Sequence, residues 1–336
     1  MKYVLVTGGA GYIGSYICKL FYDKGYIPVT FDNLSLGNKW SVKWGPLEVG
    51  ELCSENDLQK LFEKYNFIGV IHLAALSNVS ESVNNPSIYY KNNVIGSYNL
   101  IEKMIKFNVK NIVFSSTAAV YGNPIHSPIC ENHPTQPINP YGDSKLTIER
   151  LICNYSKCHD LNFVILRYFN VSGSDFSNNL GEAHLPETHL IPLALEAAHQ
   201  NSIFKIYGDN YQTTDGTCIR DFIHVMDLAD AHVSTLDYLM KNDPQNIIIN
   251  IGTGVGTSVL DVINTFQNFN NVNLPLKGAN WVSLARFKDW CKLLDLEIVG
   301  GEFLAFYPAI NSPKWQKKLV WLQNGVRRWL HHGLGH

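Results

Sequence analysis

An α/β fold, doubly wound around a parallel sheet, is predicted by three features of the amino-acid order. Short apolar, β-branched runs recur through the first half of the chain: Tyr3 to Val6, Ile27 to Phe31, Val70 to Leu73, Asn111 to Thr117 and Phe163 to Tyr168. Stretches with helical spacing of apolar residues separate these runs. The runs end on glycine, small or polar residues instead of further apolar ones. Alternating strands and helices imply crossover connections, and in such open sheets ligands bind beyond the carboxyl ends of the strands.

The first run, Tyr3 to Val6, leads into Thr7-Gly8-Gly9-Ala10-Gly11-Tyr12-Ile13-Gly14, and Ser15 to Lys24 then carries a helical pattern. Strand, glycine turn and helix together form the context of a dinucleotide site. Glycines permit the tight turn and let backbone N–H groups approach a pyrophosphate at the positive end of the helix. The fold is therefore expected to be Rossmann-type. The second run ends at Asp32, about 20 residues past the glycines, where a carboxylate accepts ribose hydroxyls and favours NAD over NADP. Asn33, Leu34 and Ser35 are expected to continue that wall. After Val70 to Leu73 come Ala74 and Ala75, small enough for a flat cofactor to approach.

The fourth run ends in Ser115-Ser116-Thr117, and a proline-flanked loop then introduces a helix from Tyr141 to Cys153. Tyr141 and Lys145 share one face of that helix, one turn apart. A phenol is a poor base near neutrality because its reference pKa is about 10. A neighbouring ammonium, or an oxidised nicotinamide, favours the phenolate and makes the pair a plausible proton acceptor for a substrate hydroxyl.

Composition narrows the function. The chain has 336 residues, 46% of them hydrophobic, and a net charge of -2. Neither charge sign dominates, so nucleic acid and membrane surfaces are not expected partners. No apolar run approaches the roughly 20 residues needed to span a bilayer. Met1 to Thr7 enters a strand pattern directly, so no secretory leader is expected. The seven cysteines (Cys18, Cys53, Cys130, Cys153, Cys158, Cys218, Cys291) contain no Cys-x-x-Cys. They read as reduced cytoplasmic thiols and not as a disulfide framework, and no metal site is expected.

Further blocks join those above: Glu81-Ser82-Val83, Tyr89-Tyr90-Lys91-Asn92-Asn93-Val94, Leu166-Arg167-Tyr168-Phe169-Asn170, Tyr207-Gly208, and Asp215-Gly216-Thr217-Cys218-Ile219-Arg220-Asp221-Phe222-Ile223-His224-Val225-Met226-Asp227-Leu228. In this order, from residue 1 to about residue 265, the chain resembles the extended short-chain dehydrogenase/reductase family, and its last block resembles the sugar-nucleotide epimerases within it.

The resemblance implies a 4-epimerase that interconverts UDP-glucose and UDP-galactose by transient oxidation at C4, with NAD kept bound. UDP-xylose/UDP-arabinose interconversion is the near alternative, and a non-catalytic NAD-binding relative is the other. A 4,6-dehydratase is disfavoured, because Ala118-Ala119 stand where that branch carries Asp-Glu. By resemblance, Tyr141 takes the hydroxyl proton, Thr117 bonds the same oxygen, and Lys145 holds the nicotinamide ribose and lowers the Tyr141 pKa. The cofactor contacts it implies are Gly8, Gly11, Tyr12, Ile13, Gly14, Asp32, Asn33, Ser35, Glu51, Leu52, Leu73, Ala74, Ala75, Asn92, Ser115, Tyr141, Lys145 and Phe169. Those implied for the UDP-sugar are Thr117, Tyr141, Asn170, His189, Leu190, Lys205, Ile206, Tyr207 and Arg220. A homodimer through the helices around Pro86 to Met104 and Tyr141 to Cys158 is also implied.

Some positions depart from the family pattern. Glu51 stands where an Asp is usual, Ser77 where some relatives carry a lysine, and His189 where an Asn is common; His189 reads equally as a surface histidine. Residues 1–170 are expected to form the NAD-binding domain, with segments near 221–265 returning to it, and residues 171–336 a smaller C-terminal substrate domain. Residues 272–336 are atypical: five of the seven tryptophans lie there, and the family's Arg-Pro-Gly-Asp-like segment is missing. That tail reads either as true divergence or as a coding irregularity, with helical patterns drawn over 281–296 and 315–330. His331, His332 and His336 read as inert.

Overall fold

A computed structural model describes residues 1–174, 180–241, 243–270 and 274–278. Cys291, the two tail helices drawn over 281–296 and 315–330, and His331, His332 and His336 lie outside the described residues. In chain order the strands are β1 (Tyr3–Thr7), β2 (Ile27–Asp32), β3 (Leu47–Val49), β4 (Phe67–His72), β5 (Asn111–Thr117), β6 (Asn162–Tyr168), β7 (Asn170–Ser172), β8 (Phe204–Ile206), β9 (Ile219–His224), β10 (Ile247–Ile251), β11 (Gly256–Ser258) and β12 (Leu276–Gly278).

The chain divides into two compact units. The first joins Met1–Phe169 to Val225–Gly252. Its seven-stranded sheet runs β10-β6-β5-β4-β1-β2-β3, and every pairing is parallel. The predicted doubly wound, Rossmann-type sheet is therefore observed. Strand order reverses between β1 and β4, the place where such sheets open a crevice at their carboxyl ends. β5 spans the run read from the sequence, because a strand buried on both faces is apolar almost throughout. The core on one side gathers Leu5, Val29, Phe31, Val70, Ile112 and Phe114 from the sheet with Leu58, Leu61, Leu100, Ile101 and Ile152 from the covering helices.

The expected helix after Tyr141 starts at Pro140 and runs to His159. The helix expected near Pro86 to Met104 is interrupted: Pro86–Tyr89 passes into a π-helical turn at Tyr90–Ile95 before Gly96–Lys106. Such turns are rare and are frequently found at functional sites.

The second unit joins Asn170–His224 to residues from Thr253 onward. β7 pairs parallel with β9, and β9 antiparallel with β11. β8 and β12 form a separate parallel pair. Ala194 and Ala197 of the helix Leu190–Gln200 pack with Phe204, Ile206, Ile263, Phe266, Leu274 and Leu276. Among the described residues, no helix is long and apolar enough to cross a membrane. The six described cysteines are free.

Candidate active site

The turn after β1 is built for a backbone-only approach. Gly8 adopts φ +73°, and a Cβ there would stand 2.8 Å from the Ala74 nitrogen. A Cβ on Gly14 would fall 2.2 Å from the Gly8 carbonyl oxygen. Side chains at either position would therefore fill the cradle between the β1 turn and the loop after β4. The helix Tyr12–Asp23 begins at Gly11 with no side-chain cap, which leaves its positive end to an anion. This arrangement fits the pyrophosphate of a dinucleotide.

Asp32 closes β2. Its Oδ2 accepts the Ala10 N–H at 3.1 Å and its Oδ1 the Leu34 N–H at 2.9 Å. Burial pushes this carboxyl upward; the two N–H groups pull it back, and nearby Glu51 adds to the rise. The carboxylate keeps further lone pairs for ribose hydroxyls. Asn33 is held from both sides: its Nδ2 donates to both Glu51 oxygens at 3.1 Å, and its Oδ1 accepts from the Ser35 N–H at 3.0 Å and hydroxyl at 2.7 Å. Leu52 is buried, and its carbonyl accepts from Asn99. Leu73 and Ala74 donate their N–H groups to the Thr7 carbonyl, which locks the loop after β4 to the glycine turn; Ala75 follows, half-buried. Ser77 is exposed.

Asn139 caps the helix Pro140–His159 by accepting the Gly142 N–H at 2.8 Å. A Cβ on Gly142 would meet the Ala119 carbonyl at 2.7 Å, so the helix start lies close against the end of β5. This placement brings Tyr141, Lys145, Ser115 and Thr117 together, all buried. Lys145 Nζ donates to the Ser115 carbonyl at 2.8 Å and lies 4.9 Å from the Phe114 ring centre. Burial brings its pKa down to about 7, against the opposing pull of Glu149. The Tyr141 phenol is raised by burial, and a Thr117 hydrogen bond works the other way.

In the chain alone the Lys145 ammonium is held by the Ser115 carbonyl. With a pKa of about 7 the ammonium is only partly charged near neutrality, and it spends a proton on Ser115. Burial of the phenol dominates. A further positive charge, such as an oxidised nicotinamide, is what would favour the phenolate.

Several positioning residues were invisible as a sequence pattern. His232 Nδ1 donates to the Leu228 carbonyl at 2.8 Å, so its Nε2 accepts from the Ser115 hydroxyl at 2.7 Å. Burial lowers this imidazole to about 4 and keeps it neutral. Asn93, fully buried, donates to Leu76 O and Ser144 Oγ and accepts from the Leu76 N–H and from Asn92 Nδ2. It thereby fastens the loop after β4 to the Tyr141 helix. Glu149, one turn beyond Lys145, takes the Arg167 fork at 3.0 and 2.6 Å and the Ser116 hydroxyl at 2.5 Å. Arg167 also donates to Tyr121 OH, which donates to Asn250. Phe169, half-buried, donates its N–H to Ile251 O at the outer edge of the sheet.

The remaining candidates lie in the second unit. Asn170 and Arg220 are exposed and stand on neighbouring strands, β7 and β9. Arg220 Nη1 donates to its neighbour's carbonyl, Ile219 O, at 2.8 Å. Lys205 is exposed and Ile206 buried on β8, and Tyr207 follows, exposed. β8 belongs to a different sheet from Asn170 and Arg220. His189 sits at the start of the helix that begins with Leu190, and its Nδ1 is engaged by Glu182.

Fold and site together define a dinucleotide-binding enzyme of the epimerase kind, and residues 4–252 match the NAD dependent epimerase/dehydratase family, to which the chain belongs. The relatives are more particular. A UDP-glucose 4-epimerase of Rhizobium leguminosarum bv. trifolii is 45% identical over 275 residues, which cover 82% of this chain and 84% of that protein. The UDP-glucose 4-epimerase of Brucella ovis, solved in complex with NAD, superposes with a TM-score of 0.80 at 41% identity and covers 90% of this chain and 95% of its own. That of Bifidobacterium longum, solved with NAD+ and UDP, gives 0.78 at 34% identity, with 89% and 94% covered.

Proposed function

We propose that the chain is a sugar-nucleotide 4-epimerase that interconverts UDP-glucose and UDP-galactose. The observation that carries this reading is the buried cluster of Tyr141, Thr117 and Lys145 at the carboxyl end of β5, in the same parallel sheet whose β1 ends in the glycine cradle. Gly8, Gly11, Tyr12, Ile13 and Gly14 would hold the pyrophosphate of NAD. Asp32, with Asn33 and Ser35, would take the adenosine ribose, and Glu51, Leu52, Leu73, Ala74 and Ala75 would line the adenine side. Asn92, Ser115, Lys145 and Phe169 would hold the nicotinamide half. Bound NAD supplies reversible hydride exchange at the sugar C4. Tyr141 takes the 4-hydroxyl proton as that carbon becomes a ketone, and Thr117 holds the same oxygen. When the sugar has presented its other face, Tyr141 returns the proton and the centre is inverted. Asn170, His189, Leu190, Lys205, Ile206, Tyr207 and Arg220 are proposed to retain the UDP group, the guanidinium suiting a diphosphate.

The purified chain should release NAD on denaturation and convert UDP-galactose to UDP-glucose in a coupled assay. Absence of NAD would overturn the reading. NAD without turnover on any of UDP-galactose, UDP-glucose or UDP-arabinose would favour a non-catalytic cofactor-binding protein, a reading prompted by the loss of family resemblance beyond about residue 265. We also propose a homodimer in a reducing, cytoplasmic compartment. Ile88, Ile95 and Tyr98 are exposed apolar side chains on the interrupted helix, which supports a helical interface. Light scattering on Ile95→Asp, expected to yield monomer, tests it.

A further inference from the structure

Within the second unit, one stretch of the chain, ahead of the helix Leu190–Gln200, gathers two imidazoles and two carboxylates. Glu182, His184, Glu187 and His189 each offer one donor atom, and these atoms all lie within 4.8 Å of one another. His184 Nδ1 stands 3.4 Å from Glu182 Oε1 and 3.7 Å from Glu187 Oε2. His189 Nδ1 stands 3.6 Å from Glu187 Oε1 and hydrogen-bonds Glu182 Oε1. Around a tetrahedral zinc ion with bonds of about 2.0–2.1 Å, neighbouring donors are separated by roughly 3.3–3.4 Å. The 3.4, 3.6 and 3.7 Å separations are close to that spacing, while the Glu182–His189 pair is nearer, in hydrogen-bonding contact.

His184 Nδ1 and Glu187 Oε2 are buried and make no hydrogen bond. The Glu187 side chain is only 2% exposed, and that of Glu182 4%. An orphaned imidazole nitrogen and an orphaned carboxylate oxygen, both buried and facing each other at 3.7 Å, are costly unless something lies between them. Glu187 is meanwhile oriented from behind: its Oε1 accepts the Thr188 and His189 N–H groups at 2.7 and 2.9 Å. Such outer contacts are what fix a ligand's direction.

We propose that Glu182, His184, Glu187 and His189 form a closed, four-coordinate site for one zinc-like divalent ion, which clasps this loop onto the start of the helix. Two imidazoles favour zinc over calcium or magnesium, which prefer oxygen alone. Four protein ligands leave no open position, so the role is structural. The expectation of no metal, drawn from the scattered cysteines, overlooked this cluster because its histidines and glutamates follow no metal spacing known from short motifs.

The test is zinc titration of the full-length chain against a chelating dye. One equivalent per chain is expected, with affinity falling at least ~10–100-fold in His184→Ala and in Glu187→Gln. Zinc should raise the melting temperature of the parent protein and not that of His184→Ala. If either variant fails to fold, X-ray absorption at the zinc edge of the parent protein decides: a four-coordinate shell with two histidines supports the site, and a six-coordinate all-oxygen shell overturns it. Failure to bind zinc, equal binding by both variants, or binding lost only when His331, His332 and His336 are replaced by alanine would also overturn it.

Discussion

Glu149→Gln isolates the support beneath the reacting residues. Glu149 and Arg167 are both almost fully buried and joined by two hydrogen bonds at 3.0 and 2.6 Å. Glutamine keeps the shape and one acceptor but leaves the guanidinium charge uncompensated in the interior. Breaking one side of a buried pair costs about 3–5 kcal/mol. For a unit of roughly 200 residues each kcal/mol moves the melting temperature by ~2–4 °C, so a fall of ~6–20 °C is expected. Replacing both partners, as Glu149→Gln with Arg167→Met, removes the stranded charge and should restore most of the loss. Glu149 also holds the Lys145 pKa up, so the single variant should shift the alkaline side of the turnover profile. Scanning calorimetry on the three variants reads the first effect and initial rates across pH the second. Unchanged melting in Glu149→Gln, or a double variant as unstable as the single, would refute the assigned role of the pair.

Other consequences are as direct. Tyr141→Phe should lower turnover by ~10²–10⁴ while the protein still releases NAD on denaturation; a near-normal rate would remove Tyr141 as the proton acceptor. Asp32→Asn loses a charged acceptor for two hydroxyls, and NAD retention through gel filtration should weaken by ~10–100-fold. Asn93→Ala strands the Leu76 backbone groups and should cost about 2–4 kcal/mol in denaturant unfolding, since each buried orphan costs about 1–3 kcal/mol. His72 and His232 are held neutral by burial, at about 3 and about 4. Their folded pKa values lie below the unfolded value of about 6.5, so the unfolded chain binds more protons below that pH and stability falls as pH drops from 6.5 toward 4. Roughly 2 kcal/mol should be lost per histidine by pH 5, and pH-dependent unfolding of His232→Asn should show a shallower slope.

The sheet was legible because buried parallel strands leave apolar runs, and the glycine turn because no side chain fits at Gly8 or Gly14. β3 was missed: three residues at a sheet edge, Leu47–Val49, give no run long enough to see. The π-helical turn at Tyr90–Ile95 was missed because its residues are ordinary for a helix. Tyr141, Lys145 and Thr117 were found through one helical spacing and one strand end. Their supports were not, because Ser115 meets His232 across 117 positions and Asn93 meets Ser144 across 51. Long-range pairs of single residues leave no periodic trace. The electrostatic state of Lys145 was likewise hidden, since it depends on how deeply the helix start is buried.

The discontinuity of the first unit bears on how this chain is made. Among the described residues β6 has nothing on its outer flank until Ile247–Ile251 arrives, and the Ser115 hydroxyl lacks its His232 partner until then. A nascent polypeptide that has emerged only as far as residue 170 therefore displays a bare strand edge and an unfinished interior. Synthesis must supply some eighty more residues before that edge is sealed, an interval in which holding chaperones should bind and premature termination should yield aggregates.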